Sequence, residues 1–234
     1  MKNKVIPAAN QRRVFLGQVI SGAAMIGLGT LAAPLPAKAT EHWSLDEGVS
    51  DSDAWFSKIK GKHRIVYDVP NPHEIFPFAW PRVFLLTNEK TGTPINESSV
   101  VVVLRHSAIP FALQNSLWEK YKFGEHFKID DPATKAPAIR NAFWQPKPDD
   151  FKVPGIGAVS IGINDLQKDG VMFCVCEMAL TVHSAVYASQ ANAQPEDIKK
   201  EFIAGLLPGV QVVPSGVWAI GRAQEHGCAY CFVG

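Results

Sequence analysis

The 234-residue chain is 47% hydrophobic and 19% charged, with 23 Lys and Arg against 22 Asp and Glu. That balance excludes a disordered acidic segment, and it excludes a basic nucleic-acid binder, which needs clustered cations to neutralise phosphates. The near-neutral total averages two unlike parts. Residues 1–39 hold five basic residues and no acidic one, and the other 195 residues carry 18 basic and 22 acidic groups, net −4.

Asn10-Gln11-Arg12-Arg13-Val14-Phe15-Leu16-Gly17 is a twin-arginine pattern, followed by a glycine-diluted apolar run over 19–33 and by Ala37-Lys38-Ala39, a small-x-small cleavage pattern. The run is too short and weak to span a bilayer comfortably, so a cleaved Tat signal and a periplasmic mature protein without a membrane span are expected. That compartment permits disulfides. Residues 40–60 are polar with scattered Trp43, Leu45, Trp55 and Phe56 and read as an amino-terminal appendage, in which Asp51-Ser52-Asp53 caps a short helix.

The first strand is predicted over 63–69, stopped by Pro70 and Pro72, and a helix over 81–88. Four consecutive valines make 99–104 the clearest buried strand, because a near-continuous β-branched run suits a parallel strand covered on both faces. Helical spacing of Ile109, Leu113, Leu117 and Tyr121 predicts a helix over 110–122. Residues 125–154 are polar and proline-broken with Phe143 and Trp144 embedded, and such a stretch is expected to be a functional lid or a docking loop. A helix over 163–168, a strand over 171–176 and helices over 177–189 and from Pro195 follow. A strand over 210–213, a helix over 217–225 and a last strand over 228–233 complete the pattern. Strands alternating with helices predict a three-layer α/β/α fold with a mostly parallel sheet.

Ligands gather at the carboxyl ends of strands in such a sheet. The candidates there are Arg105 and His106, Cys176, and Ser215. A thiol at a helix start faces unpaired N–H groups and the positive end of the helix dipole, which favour the thiolate, so Cys176 is expected to have a lowered pKa with Arg105 and His106 assisting. A buried, inert cysteine remains the open alternative. Cys174 and Cys176 are expected to leave the same strand face, and Cys228 and Cys231 opposite faces. The C-x-C and C-x-x-C pairs leave two further possibilities open: a metal or cluster bound by Cys174, Cys176, Cys228 and Cys231, or a structural disulfide between the two strands. The sequence names no cofactor. No Gly-rich phosphate loop, G-x-S-x-G or H-E-x-x-H is present.

Gly170-Val171-Met172-Phe173-Cys174-Val175-Cys176, then Val212-Val213-Pro214-Ser215-Gly216-Val217, then Gln224-Glu225-His226-Gly227-Cys228-Ala229-Tyr230 resemble three segments of the DsrE/DsrF-like family. These are a Gly-Val-x-Phe-x-x-Cys strand, a Val-Val-Pro-x-Gly-Val turn and a Gln-x-x-Gly-x-x-Tyr ending. The resemblance covers about residues 170–232. It implies a five-stranded, largely parallel sheet with helices on both faces, commonly in a homo-oligomer. It also implies sulfur relay, with Cys176 as the persulfide-carrying position. The 125–154 insertion, the additional Cys174, Cys228 and Cys231, and the export signal depart from that pattern.

Three functions follow from these residues. The first is a thiol or persulfide protein with Cys176 as acceptor and Cys174 as resolving thiol, partnered by a sulfur donor or acceptor protein or a small sulfur compound. The others are a non-catalytic binding module docking through 125–154, and a metal or cluster protein.

Overall fold

The computed structural model describes residues 52–234, so the twin-arginine segment lies outside the described residues. Two β-branched runs form the centre of the sheet, β1 (His63–Val69) and β2 (Ser98–Leu104). Every residue of β2 is buried, because β1 and β5 (Met172–Cys176) flank it and helices cover both faces. Two further strands, β6 (Val210–Val213) and β7 (Ala229–Phe232), complete an all-parallel sheet of order β6-β5-β2-β1-β7. A short antiparallel pair, β3 (Lys152–Val153) and β4 (Gly157–Ala158), stands apart from it. The expected α/β layers with a five-stranded parallel sheet are present.

The period-2 alternation of a strand sorts the core into two layers. On one face Tyr67, Val69, Val100, Val102, Leu104, Phe173 and Val175 pack with residues of α2 (Phe76–Lys90), a 3₁₀ segment (His106–Ala112) and α6 (Glu177–Ala191). On the other, Val66, Val101, Val103, Cys174 and Val213 meet Trp55 and Phe56 of α1 (Ser52–Phe56) and Ala219 and Ala223 of α8 (Gly216–Glu225). Residues 52–59 are therefore not an appendage. Trp55, Phe56 and Ile59 are buried in the second layer, and the Ser52 hydroxyl donates to the Val212 carbonyl on the outer side of β6.

Three other expectations change. The helix predicted over 81–88 is α2, which starts five residues earlier, with Pro77 in its first turn, where a proline's missing N–H costs nothing. The helix predicted over 110–122 is broken into the end of the 3₁₀ segment and α3 (Asn115–Lys120), and a separate α4 (Phe123–Phe127) follows it. The break lies at Leu113, which is extended and bridges Leu206. The 125–154 stretch, expected as a lid or docking loop, is anchored in the core by part of its length, Phe143 included. It delivers Phe127, Ile129, Ala138, Ala142, Phe143 and Phe151 into the first layer, where Phe143 stacks on Phe151 at 4.9 Å and packs on Phe78 at 4.3 Å. Buried Asp131, paired with Arg140 at 2.7 Å and capping the Ala133 N–H, holds its tip. The remaining helices are α5 (Ile163–Lys168) and α7 (Pro195–Ala204). Among the described residues, no helix is long and apolar enough to cross a membrane.

Candidate functional site at the carboxyl ends of the strands

Strand β5 runs directly into α6, and Cys176 is the hinge residue. Its extended backbone makes it the N-cap, and its Sγ accepts the Ala179 N–H at 3.3 Å. The sulfur thus takes the place usually held by a Ser or Asp oxygen, satisfying one of the orphan donors of the first helical turn.

The neighbours of Cys176 follow from register. Leu104 pairs with Val175 across β2 and β5, so the next residues, Arg105 and Cys176, stand side by side where the strands end. On the other side of Cys176, its register partner Val213 leads into Pro214, Ser215 and the start of α8. There Gly216 lies against Arg105. A Cβ at Gly216 would sit 2.6 Å from both Cβ and Cδ of Arg105, so only glycine lets the arginine stem cross the start of α8.

Arg105 is fixed by a second residue. Its Nε and Nη2 donate to the two carboxylate oxygens of Asp68 at 2.6 and 3.0 Å, and the Tyr230 hydroxyl donates to the same carboxylate at 2.8 Å. Asp68 is 2% exposed, and these donors satisfy both of its buried oxygens. Tyr230 on β7, Asp68 on β1 and Arg105 after β2 form a diagonal ladder that ends beside Cys176.

The balance of forces on Cys176 differs from the expectation. Burial pushes its thiol up, and this outweighs the backbone N–H groups of Ala179, Gly216 and Met178 and the Arg105 charge, all of which pull it down. The helix start and the arginine act in the expected direction, but desolvation of a residue only 7% exposed wins. The resting group is a thiol rather than a thiolate.

The other candidates divide. Ser215 is occupied as the N-cap of α8, accepting the Trp218 N–H at 3.2 Å. His106 is exposed just after β2. It adopts a left-handed backbone, φ 49°, and its ring lies 6.4 Å from that of His183, whose ring is 6.0 Å from His126. Cys174 is fully buried on the opposite layer, among Val101, Val103 and Val213, with its thiol pushed up by burial and then by Cys176. It therefore fails as an accessible resolving thiol. The shared face expected for Cys174 and Cys176 gives way because Cys176 turns into the helix and packs with the first layer.

Cys228 lies in the second layer and Cys231 against the first, as odd spacing in a strand requires. Burial raises the Cys228 thiol to about 11. β5 and β7 are separated by two intervening strands, about 14 Å at the ordinary spacing, which places both the inter-strand disulfide and the four-cysteine metal site out of reach. All four cysteines are free thiols, and among the described residues no group of three or more His, Cys, Asp or Glu is placed to hold a metal ion.

A cavity of about 490 Å³ opens between α3 and the helices α6 and α7, lined by Lys120, Tyr121, Tyr187, Asp197, Ile198 and Glu201 among others. It contains none of the site residues, and Tyr187 lies 11 residues along α6 from Cys176, about 16 Å at helical rise.

Asp68, Tyr230 and Gly216 were not among the sequence candidates. Asp68 had a visible signal, an acidic residue inside the apolar run Ile65-Val66-Tyr67-Asp68-Val69. Tyr230 and Gly216 had none beyond their place in the family-like motifs.

The fold and site together define a parallel α/β domain with a buried N-cap cysteine beside an anchored arginine at the strand ends. No family model matches the chain, and no curated protein does. Among solved structures it is similar to the structure of a protein of unknown function, MTH1491, from Methanobacterium thermoautotrophicum. The two are 18% identical, and the match covers 74% of this chain and all of that one with a TM-score of 0.33. A score that low speaks to neither fold nor function.

Proposed function

We propose that the protein is an exported, periplasmic thiol or persulfide protein with Cys176 as the sulfur acceptor. The observation that carries this reading is the setting of Cys176: an N-cap sulfur facing backbone N–H groups, with Arg105 alongside it at the strand ends. These groups stabilise negative charge on sulfur, and the charge is largest on the species that the reaction passes through and produces.

The step begins when the Cys176 thiol loses its proton. The thiolate attacks the outer sulfur of a persulfide or polysulfide donor. A bond forms between Sγ and that sulfur as the donor's S–S bond breaks, and the electron pair leaves with the donor thiolate, which takes up a proton. Sulfane sulfur changes carrier with no net oxidation, and Cys176 is left as a persulfide. The persulfide anion meets the same N–H groups and the same arginine. Cys174, sealed in the opposite layer, has no part in the step.

The test is peptide mass spectrometry after exposing the full chain to inorganic polysulfide. A one-sulfur mass increase on the Cys176 peptide, absent in Cys176→Ser, is the expected result. Modification confined to Cys231, the only one of the four cysteines that is not buried, overturns the reading.

A further inference from the structure

An arginine beside a buried thiol favours its anion only while the guanidinium stays close, and a free arginine side chain samples many rotamers. We propose that Asp68 is the positioning residue that keeps the Arg105 guanidinium at Cys176, through a diagonal ladder from Tyr230 to Asp68 to Arg105 across the strand ends. The inference rests on Cys176 being the acceptor, and it assigns to that site a residue two strands away from the sulfur.

The register builds the ladder. Val66 pairs with Tyr230, so Asp68 lies two positions further along β1 and diagonal to Tyr230. Asp68 in turn pairs with Val103, so Arg105 lies two positions beyond and diagonal to Asp68. Residues two apart in a strand share a face, and diagonal neighbours are within reach of long side chains. The side chains therefore meet without strain, at 2.8 Å from tyrosine to carboxylate and 2.6 and 3.0 Å from arginine to carboxylate. Both Asp68 oxygens are engaged, and the arginine fork is matched bidentately, the arrangement that fixes a guanidinium in orientation as well as position. From the far side, Gly216 presents a surface without a Cβ against the arginine stem. Arg105 is thus clamped between a carboxylate and a helix start.

The carboxylate has two opposite effects on the site, and distance decides between them. The carboxylate belongs to β1, two strands from β5, whereas the Arg105 stem crosses the start of α8 beside Cys176 and its charge is the one that acts on the thiol. Direct repulsion of the sulfur anion by Asp68 is therefore the weaker effect, and the placement of the nearer cation dominates. A carboxylate present only to neutralise Arg105 would act in the reverse sense.

The two roles are separated by the rates at which iodoacetate and iodoacetamide alkylate Cys176, followed on its peptide in the full chain. Both reagents need the same thiolate, so the ionised fraction cancels in their ratio, and the ratio reports the local positive field. Arg105→Gln sets the value without the cation. Asp68→Asn is expected to lower the iodoacetate-to-iodoacetamide ratio by about threefold, the order expected when one unit charge leaves a wet site, and to bring it to the Arg105→Gln value. A ratio that is unchanged or higher in folded Asp68→Asn overturns the proposal. Should that variant fail to fold, Tyr230→Phe decides: it removes one donor from a half-exposed side chain, a smaller drop is expected, and an unchanged ratio overturns the proposal. A chain that takes up no sulfur on Cys176 but shows these drops retires the acceptor reading and leaves the positioning role standing.

Discussion

The residue after Cys176, Glu177, meets Lys199 of α7 at 2.7 Å in the interior, the two side chains being 1% and 11% exposed. The second oxygen of Glu177 has no hydrogen-bond partner, so the pair joins α6 to α7 without fully satisfying the carboxylate. Removing one member leaves the other charge buried. Lys199→Met is expected to cost about 3–5 kcal/mol in urea unfolding, and the double variant Glu177→Leu with Lys199→Met to cost clearly less than the two single changes together. Additive losses would show that the pair is not coupled.

The pH dependence of Cys176 has a definite sign. Because burial holds its thiol above the ordinary cysteine range, alkylation by iodoacetamide should keep accelerating at pH values where an exposed thiol has already levelled off. Arg105 pulls the other way, so Arg105→Gln should move the profile to still higher pH. A profile levelling off below that of a free thiol would contradict this balance.

Gly216 is the contact most sensitive to a single methyl group. Gly216→Ala places a Cβ 2.6 Å from two carbons of Arg105, and one of them, Cβ, is held by the backbone and has little room to yield. A loss of about 1–3 kcal/mol is expected, read from urea unfolding, together with slower alkylation of Cys176 at fixed pH.

His183 makes stability fall on acidification. Burial, then the neighbouring His126 and His106, lowers its pKa from 6.5 to about 4, and its Nδ1 is buried without a partner. Between those two values the unfolded chain binds a proton that the folded chain does not, so stability rises with pH across this window and is lost as pH falls through it. The melting temperature should decline from pH 6.5 to 4, and His183→Gln should flatten that part of the curve.

Much of the fold could be read from short apolar runs. β1, β6 and α5 lie where the sequence places them, because their patterns are local and bounded by proline or glycine. Residues 125–154 defeated the same approach. Proline breaks erase periodicity there, and nothing local reveals that Phe143 and Phe151 stack inside. At the site, Cys176 was visible as a strand-end cysteine and Arg105 as its neighbour. The oddity of Asp68 in an apolar run was visible, but its diagonal pairing with Tyr230 was not, because that exists only once β7 lies beside β1, and strand order is not written in any one segment. The direction of the Cys176 shift was missed because helix start and cation can be inferred from position, whereas the depth of burial depends on everything packed above it.

The strand order also governs how the domain is assembled. β7 docks beside β1, and Tyr230 reaches Asp68 across 162 positions of chain. One whole edge of β1 therefore stays bare until β7 is available to dock. The Tyr230 rung of the clamp on Arg105 closes only with β7, so a growing chain carries Cys176 before it carries the complete ladder.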